Sequence, residues 1–318
     1  MTDTRLVADV GGTNTRLALF DETLGEFRQL ARFSNTNYDG LESVIAQWLE
    51  GLGEPAPTRA CIAAAAPPTG DRVSMVNIGW SFSCRELARR FGLNDFAWLN
   101  DFQANAHALP HLEAGDLAQL HAGGDTSNPT LATVGPGTGL GGATLRWVDG
   151  VPIAGEAEPG HAGLSPGSDL ELEIFRRLLP EYGDIYAELL VSGAGLARLH
   201  AVIATINGVP DPALTPADVS SRALSGEDEL CTIALQTFCA LLGSACGDFV
   251  LSNGAYGGLY IAGGIMPRMI PFLRASNFLS RFQNKGAMTQ HLPQVPIYVI
   301  TTEQPGLIGA AHAPLQAC

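Results

Sequence analysis

Basic residues are scarce in this chain. Its 318 residues include 18 lysines and arginines against 32 aspartates and glutamates, so the formal net charge at pH 7 is -14. A surface with this balance repels polyanions, which argues against a nucleic-acid partner and against binding to anionic membrane surfaces. Phosphate groups can still be bound locally, because backbone N–H groups and Mg²⁺ neutralise them without a basic surface.

Uninterrupted apolar runs and cysteine pairs are also missing. No run reaches the roughly 20 apolar residues that span a bilayer, and the first residues lack the basic and apolar regions of a signal peptide. These absences predict a cytoplasmic protein without a membrane partner. The six cysteines form no CxxC pair, which favours reduced, structural thiols over disulfides or zinc ligands. Cys239 and Cys246 lie in an apolar stretch and are expected on one buried helix face.

The periodicity of apolar residues predicts an α/β protein built from two similar halves. In the first half we expect strands near 5–9, 15–21, 27–33, 60–65, 72–76 and 96–100 and helices near 39–50 and 84–91. A loop region at 114–129 follows. In the second half we expect strands near 130–135, 142–148, 151–155, 258–262 and 295–301, and helices near 169–180, 194–205, 227–252, from 267 and from 306. The repeated three-strand meander predicts a duplicated domain with a cleft between the copies.

Each meander contains a glycine-rich turn between its first two strands. The first turn follows Asp9 and consists of Gly11, Gly12, Thr13 and Asn14. The second contains Gly137, Thr138, Gly139 and Gly141. Glycine lets the backbone approach an anion and turn its N–H groups toward it, so both turns are candidate phosphate cradles. Either turn alone is equally well explained as an ordinary hairpin, and neither has the lysine of a Walker A loop.

Two further observations favour a nucleotide. A third glycine pair, Gly263 and Gly264, ends the strand at 258–262 and offers a flat backbone surface to an adenine or ribose. A strand-to-helix turn would explain this pair equally well. Asp9, at the end of the first strand, is placed to hold Mg²⁺ through water.

Polar residues beside predicted strand ends supply candidate groups for chemistry. Asn100 and Asp101 follow a strand and precede a helix, where a carboxylate is an ideal N-cap. A carboxylate at this end of a parallel strand also lies where α/β sheets bind ligands, so Asp101 is a candidate general base for a sugar hydroxyl, with Asn100 as a hydrogen-bonding partner. Glu158 and His161 lie in a Gly/Pro-rich loop and can each bind hydroxyl groups. Glu188, considered alone, is expected to be an ordinary exposed helix residue.

Taken together, these motifs resemble the bacterial glucokinase family of the hexokinase/actin-like superfamily. The resemblance spans the chain and rests on Asp9-x-Gly-Gly-Thr-Asn, Asn100-Asp101-Phe102, Gly137-Thr-Gly-Leu-Gly141, Glu158-x-Gly-His161, Ser192-Gly-x-Gly195 and Ala262-Gly-Gly-Ile265.

The resemblance implies a set of structural and functional expectations. It implies two actin-like (ribonuclease H-like) lobes, a small lobe at 1–112 completed by the C-terminal helix at 303–318 and a large lobe at 113–302. It implies ATP-dependent phosphorylation of D-glucose at its 6-hydroxyl, with Asp101 as base, and a homodimer. By the same resemblance, Asn100, Glu158, His161 and Glu188 hold the glucose hydroxyls.

Two differences from related families bear on the expected cofactors and on the expected sugar. ROK sugar kinases and repressors carry a cysteine-rich zinc motif after the Glu-x-Gly-His element, whereas here no cysteine occurs between Cys84 and Cys231. We therefore expect no zinc, whereas ATP and Mg²⁺ are expected from the resemblance and from Asp9. Pro159 restricts the backbone next to Glu158, which bears on sugar preference. A kinase for another hexose or an N-acetyl-hexosamine, a carboxylate kinase and a non-catalytic sugar sensor remain alternatives.

Overall fold

The computed structural model describes residues 4–66, 70–75, 78–124, 127–210 and 212–317. Residue 76, at the end of one expected strand, lies outside them. Fourteen strands are present within the described ranges: β1 (Thr4–Val10), β2 (Asn14–Asp21), β3 (Glu26–Ser34), β4 (Arg59–Ala64), β5 (Arg72–Ser74), β6 (Ser81–Ser83), β7 (Asp95–Asn100), β8 (Leu117–His121), β9 (Leu131–Pro136), β10 (Leu140–Val148), β11 (Val151–Ala157), β12 (Gly258–Ile261), β13 (Ile297–Ile300) and β14 (Gln316–Ala317).

The α-helices within the same ranges are α1 (Leu41–Glu50), α2 (Cys84–Phe91), α3 (Asp101–Ala108), α4 (Asp169–Tyr182), α5 (Ala187–Leu190), α6 (Gly193–Ile206), α7 (Pro216–Ser225), α8 (Glu229–Asn253), α9 (Ile270–Ala275), α10 (Phe278–Gln283) and α11 (Pro305–His312). The α/β class expected from the sequence is confirmed.

The chain divides into two compact units. The first unit comprises Met1–Leu112, Trp147–Gly155 and Glu303–Cys318, and the second comprises Glu113–Arg146 and Glu156–Thr302. The two six-stranded sheets follow the orders β14-β7-β4-β1-β2-β3 and β11-β10-β9-β12-β13-β8. Both orders combine a meander with parallel neighbours, because β1 pairs in parallel with β4 and β9 pairs in parallel with β12. The duplication expected from the glycine-rich meanders is therefore visible in the strand order.

Helices cover both faces of the first sheet. Alternation along β1 sends Leu6 and Ala8 into a cluster with Leu41 and Ile45 of α1. Val7 points to the opposite face. There it joins a second cluster, which contains Phe20 of β2 and Leu307, Ala310 and Ala311 of α11. Asp9 has the same parity as Val7 in β1, so its side chain also points to the face that carries α11.

Three histidines lie where α3, the turn after it and α11 meet. The rings of His111 and His312 stack with their centroids 3.5 Å apart and their planes 5° apart. Burial lowers the pKa of His312 to about 4, and the pKa of His111 is lowered by burial as well. His107 is 5% exposed, its Nδ1 has no hydrogen-bond partner within the described residues, and burial lowers its pKa to about 4. All three rings are therefore held in an environment that favours the neutral form.

The long helix α8 forms the centre of the second unit. Asp228 caps its start by accepting a hydrogen bond from the N–H of Cys231 at 3.1 Å, and Gly254 ends it at a φ of 62°. Cys239 and Cys246 are both buried, as expected. Among the described residues, α8 is the helix long and apolar enough to cross a bilayer, but 72% of its most apolar window is buried inside the protein. The sequence of α8 is not an uninterrupted apolar run, because polar residues, including Asp248, interrupt it.

Three local expectations were incomplete or wrong. The segment expected as a loop at 114–129 contains the edge strand β8, which pairs antiparallel with β13. Helix α7 was not expected, although its capping box, Thr215 with Asp218, is written in the sequence. The helix expected from residue 267 begins as a 3₁₀ turn, Met266–Met269, and becomes α-helical only at α9.

Candidate active site

Three parallel strands of the first unit end at one edge of the sheet. Asp9 of β1 is in register with Ala63 of β4, and Ala63 is in register with Leu99 of β7. The Cα atoms of Asp9 and Leu99 are therefore two strand spacings apart, about 10 Å. Asn100 and Asp101 directly follow Leu99, so the structure brings them to the same edge as Asp9 and the glycine turn after it. This edge is where ligands bind in α/β sheets.

The turn formed by Gly11, Gly12, Thr13 and Asn14 is fastened to a buried amide. The N–H of Gly11 donates to the carbonyl of Asn14 at 3.0 Å, which closes the turn. The side chain of Asn35, 4% exposed, donates to the carbonyl of Gly11 at 2.7 Å and accepts from the hydroxyl of Thr15 at 2.8 Å. Sequence reasoning missed Asn35, because nothing in its local pattern indicates that it supports a turn more than 20 residues away.

Asp9 faces a cation and a helix start. Its Oδ2 lies 3.3 Å from Nη1 of Arg16, its cross-strand partner in β2, and its side chain is 21% exposed. Gly306, in the first turn of α11, packs against the carboxylate. Burial raises the pKa of Asp9 above its usual value, although Arg16 opposes this shift. The single arginine therefore does not fully compensate the buried charge, and a further cation would stabilise the ionised form.

Asn100 and Asp101 start helix α3. The side-chain oxygen of Asn100 accepts hydrogen bonds from the N–H groups of Phe102 at 2.8 Å and Gln103 at 3.0 Å. In return, the N–H of Asn100 donates to Oε1 of Gln103 at 2.9 Å. The N-cap expected at this position is therefore Asn100 rather than Asp101. Asp101 is the first helical residue, half-buried, with its Oδ1 3.0 Å from the N–H of Phe102. The capping box fixes the backbone from which the Asp101 carboxylate projects.

The other predicted site residues belong to the second unit, where the second glycine turn meets Glu188. Gly137 and Thr138 are exposed at the tip of this turn, and the N–H of Gly137 donates to the carbonyl of Gly139 at 2.8 Å. Oε2 of Glu188 accepts a hydrogen bond from the N–H of Leu140 at 2.9 Å. A side chain on Gly139 would collide with this carboxylate. The expectation of an ordinary exposed Glu188 is wrong, because the side chain is half-buried against the turn.

Glu158 directly precedes a 3₁₀ turn, Pro159–His161, and His161 is the last residue of that turn. Both side chains are exposed, whereas Pro159 between them is buried against Gly142 of β10. The N–H of His161 donates to the carbonyl of Glu158 at 3.1 Å. The His161 ring lies 5.7 Å from the ring of Tyr186, at the start of α5, which carries Glu188. The buried proline thus anchors a turn that presents a carboxylate and an imidazole to solvent.

A cavity of about 270 Å³ opens beside the second glycine turn, close to the size of a small-molecule site. Two of the residues that line it, Gly137 and Gly264, were predicted from the sequence. Gly263, with a φ of 109° that favours glycine, comes directly before Gly264. Ser192, Gly193 and Ile265 also line it and belong to motifs that carry the family resemblance. Sequence reasoning did not single out the remaining lining residues, Pro136, Leu196, Pro216 and Phe238.

One cluster of potential metal ligands lies apart from these residues. The ligand atoms of His200, Asp228 and Cys231 lie within 4.8 Å of one another in the second unit. Asp228 is already the N-cap of α8, and burial raises the pKa of the Cys231 thiol to about 11. A positive helix N-terminus and a protonated thiol both disfavour a cation, so hydrogen bonding within the fold accounts for this cluster.

Comparison with known proteins agrees with the motifs. The family model for glucokinase matches residues 6–317. The chain is 42% identical to the glucokinase of Chromobacterium violaceum, over 97% of this chain and 88% of that protein. It is 36% identical to the glucokinase of Saccharophagus degradans, over 96% of both chains. The crystal structure of a glucokinase from an Antarctic psychrotroph matches with a TM-score of 0.90 and 38% identity, covering 98% of both chains.

Proposed function

Since the chain belongs to the glucokinase family, we propose that it transfers the γ-phosphoryl group of ATP to the 6-hydroxyl of D-glucose. The match to the family over residues 6–317 is the observation that carries this conclusion. The structure adds a carboxylate, Asp101, at the carboxyl edge of three parallel strands, with Asp9 and a glycine turn at the same edge. Phosphoryl transfer depends mainly on positioning and on neutralising charge, and this edge provides groups for both.

Asp101 is the proposed general base. As the 6-hydroxyl oxygen forms its bond to the γ-phosphorus, the bond from that phosphorus to the β-phosphate oxygen breaks and ADP leaves. The hydroxyl proton passes to the Asp101 carboxylate. The capping box around Asn100 and Gln103 supports this role, because it fixes the backbone from which the Asp101 carboxylate projects.

Four further residues are proposed to bind the sugar: Asn100 in the first unit, and Glu158, His161 and Glu188 in the second. Glu158 and His161 share one anchored turn and are both exposed. Glu188 uses Oε2 for the Leu140 N–H, which leaves Oε1 to accept from a sugar hydroxyl. The same carboxylate therefore supports the glycine turn and the sugar.

The glycine turns are proposed to bind the phosphates of ATP. In the first turn the Gly11 N–H closes the turn, and the N–H groups of Gly12, Thr13 and Asn14 are the proposed donors. In the second turn the Gly137 N–H closes the turn, and the N–H groups of Thr138, Gly139 and Gly141 are the proposed donors. The cavity beside Gly137 and Gly264 is proposed to hold the adenosine, because its walls are mostly apolar or backbone and its volume of about 270 Å³ is close to that of a small-molecule site.

A bound Mg²⁺ fits the residues around Asp9. The carboxylate is a hard oxygen donor, and its raised pKa is the signature of a buried charge that one arginine does not fully compensate. We therefore propose that Asp9 holds the ion through water, with Mg²⁺ neutralising charge on the transferred phosphoryl group. Arg16 orients the Asp9 carboxylate from across the β1–β2 pair.

The protein is further proposed to be a cytoplasmic homodimer with the lobe boundaries given by the family. A cytoplasmic location follows from the use of ATP, which is an intracellular substrate. A homodimer is consistent with exposed apolar side chains on the β10–β11 hairpin, including Trp147, Val151 and Ile153.

The experiment that tests the function is ADP release by the purified protein with Mg-ATP. The panel contains glucose, mannose, fructose, N-acetylglucosamine, N-acetylmannosamine and no sugar. Activity confined to glucose is expected. Preference for another hexose or an N-acetyl-hexosamine would support phosphoryl transfer but overturn the assignment of glucose as the substrate. ATP binding without turnover on any sugar would support the non-catalytic sugar sensor.

A further inference from the structure

The segment that follows His161 is held by two different parts of the second unit. On one side it pairs with the approach to α5. The N–H of Leu164 donates to the carbonyl of Ile185, and the N–H of Ala187 donates to the carbonyl of Ala162, both at 2.9 Å. Since α5 carries Glu188, the 158–161 turn and Glu188 are linked through this short backbone pairing.

On the other side, the segment is held by a buried ion pair. Nη1 of Arg281, on α10, lies 2.5 Å from Oε1 of Glu171, on α4, and the two side chains are 15% and 4% exposed. The other oxygen of Glu171 accepts from the N–H of Gly167 at 2.6 Å. Nη2 of Arg281 donates to the carbonyl of Ser165 at 3.4 Å. Both members of the pair therefore contact the backbone between His161 and α4.

A buried ion pair is a poor source of stability, because removing two charges from water costs about as much as their attraction returns. Here we infer that the ion pair fixes the position of the backbone that it contacts. Ser168 is fixed as the N-cap of α4, where its side chain accepts from the Glu171 N–H at 3.2 Å. Residues 165–167 are exposed and have little apolar surface to fix them, so we infer that their position depends on the polar contacts from Glu171 and Arg281. A planar guanidinium with several donors is suited to contact a carboxylate and a carbonyl simultaneously.

We propose that Arg281 and Glu171 are positioning residues for sugar binding. They hold residues 165–167, and through the pairing at Ala162 and Leu164 they set the orientation of the turn that carries Glu158 and His161. Neither residue touches substrate. The inference rests on the proposed function, because it assigns these residues to the affinity for glucose and not to phosphoryl transfer.

The sharpest test is Gly167→Ala. A Cβ at residue 167 would overlap the Arg281 guanidinium, so the variant displaces that group without removing either charge. Gly115→Ala is the matched control, because a Cβ there meets nothing within 4 Å. We expect the KM for glucose to rise at least about fivefold in Gly167→Ala, with kcat and the KM for ATP within about twofold of wild type.

Arg281 variants give an independent measurement. Arg281→Lys keeps the charge but has no fork to contact both Glu171 and Ser165, so its KM for glucose should lie between those of wild type and Arg281→Gln. If Arg281→Gln does not fold, Gly167→Ala and Arg281→Lys still decide the question. An unchanged KM for glucose in both variants, or an equal loss of affinity for ATP, would overturn the proposal.

Calorimetric titration of glucose into wild type and Gly167→Ala separates this inference from the proposed function. Wild type that binds glucose without turnover would refute the kinase assignment, and a weaker Kd in Gly167→Ala would still support positioning. Wild type that neither binds nor phosphorylates glucose would overturn both.

Discussion

Arg16 lies directly across the β1–β2 pair from Asp9, with Nη1 3.3 Å from the carboxylate Oδ2. Arg16 lies two residues after the first glycine turn, and a kinase for an anionic substrate would need a basic residue of this kind facing its substrate. Here the guanidinium is engaged by the protein's own carboxylate. This pairing argues against the carboxylate-kinase alternative, because the positive charge of Arg16 is neutralised by Asp9 and is not available to an anionic substrate.

Replacing the proposed base should remove turnover and leave sugar binding. Asp101→Asn is expected to lower kcat by about 10²–10⁴-fold, because the amide no longer accepts the hydroxyl proton. The glucose Kd, measured by calorimetry, should remain within a few-fold of wild type. Asp169→Asn is the control, since Asp169 is likewise the first residue of a helix but is exposed. More than a tenth of wild-type kcat in Asp101→Asn would exclude the assignment.

Asp9→Asn should raise the thermal stability of the protein and lower its kinase activity. Burial raises the pKa of Asp9, so the ionised carboxylate costs free energy of folding once the pH exceeds its usual value of 3.8. At pH 7 we therefore expect a higher Tm for Asp9→Asn than for wild type, by about 2–4 °C for each kcal/mol recovered, with kinase activity largely lost. The gain in Tm should shrink at pH 3.5, where the wild-type carboxyl is mostly protonated. A lower Tm than wild type at pH 7 would contradict the prediction.

The buried histidines should make the protein acid-sensitive. The pKa values of His107 and His312 are about 4, whereas an unfolded histidine titrates near 6.5. Below pH 6.5 the unfolded chain therefore binds more protons. The free energy of unfolding should fall as the pH drops from about 6.5 to 4, by at most about 3 kcal/mol for His107.

Thermal unfolding across this pH range tests that prediction. His107→Gln should flatten the decline in Tm, whereas His291→Gln, which changes an exposed histidine, should leave it unchanged. Parallel declines in the two variants would show that other groups carry the acid sensitivity.

Filling the cavity should weaken ATP binding selectively. A Cβ on Gly264 meets nothing within 4 Å, and the residue lines the cavity, so Gly264→Val projects into the space proposed for adenosine. We expect the KM for ATP to rise about tenfold or more, with the Kd for glucose alone unchanged. Gly115→Val serves as the control. An unchanged KM for ATP would place the adenosine elsewhere.

The features that could be predicted are those determined by residues close together in the sequence. The glycine turns, the strands before them and the helix start at Asn100 follow from periodicity and from residues within a few positions. The edge strand β8 could not be found in this way, because its pairing with β13 depends on a segment about 180 residues away. Asn35, Pro216 and Phe238 likewise acquire their roles only through tertiary contacts. Helix α7 could have been predicted from the Thr215–Asp218 capping box.

The first sheet depends on residues far apart in the chain. One face of β1 is covered by α11, and the edge of β7 is completed by β14. During synthesis, Val7 and Phe20 therefore remain without their contacts to α11 until Pro305–His312 has left the ribosome. The second unit ends at Thr302, so all of its segments have been synthesised before α11 and that unit can fold first. The first unit therefore lacks part of its core until after the last segment of the second unit has been synthesised, which is the reverse of the usual order, in which the N-terminal domain is the first to be complete.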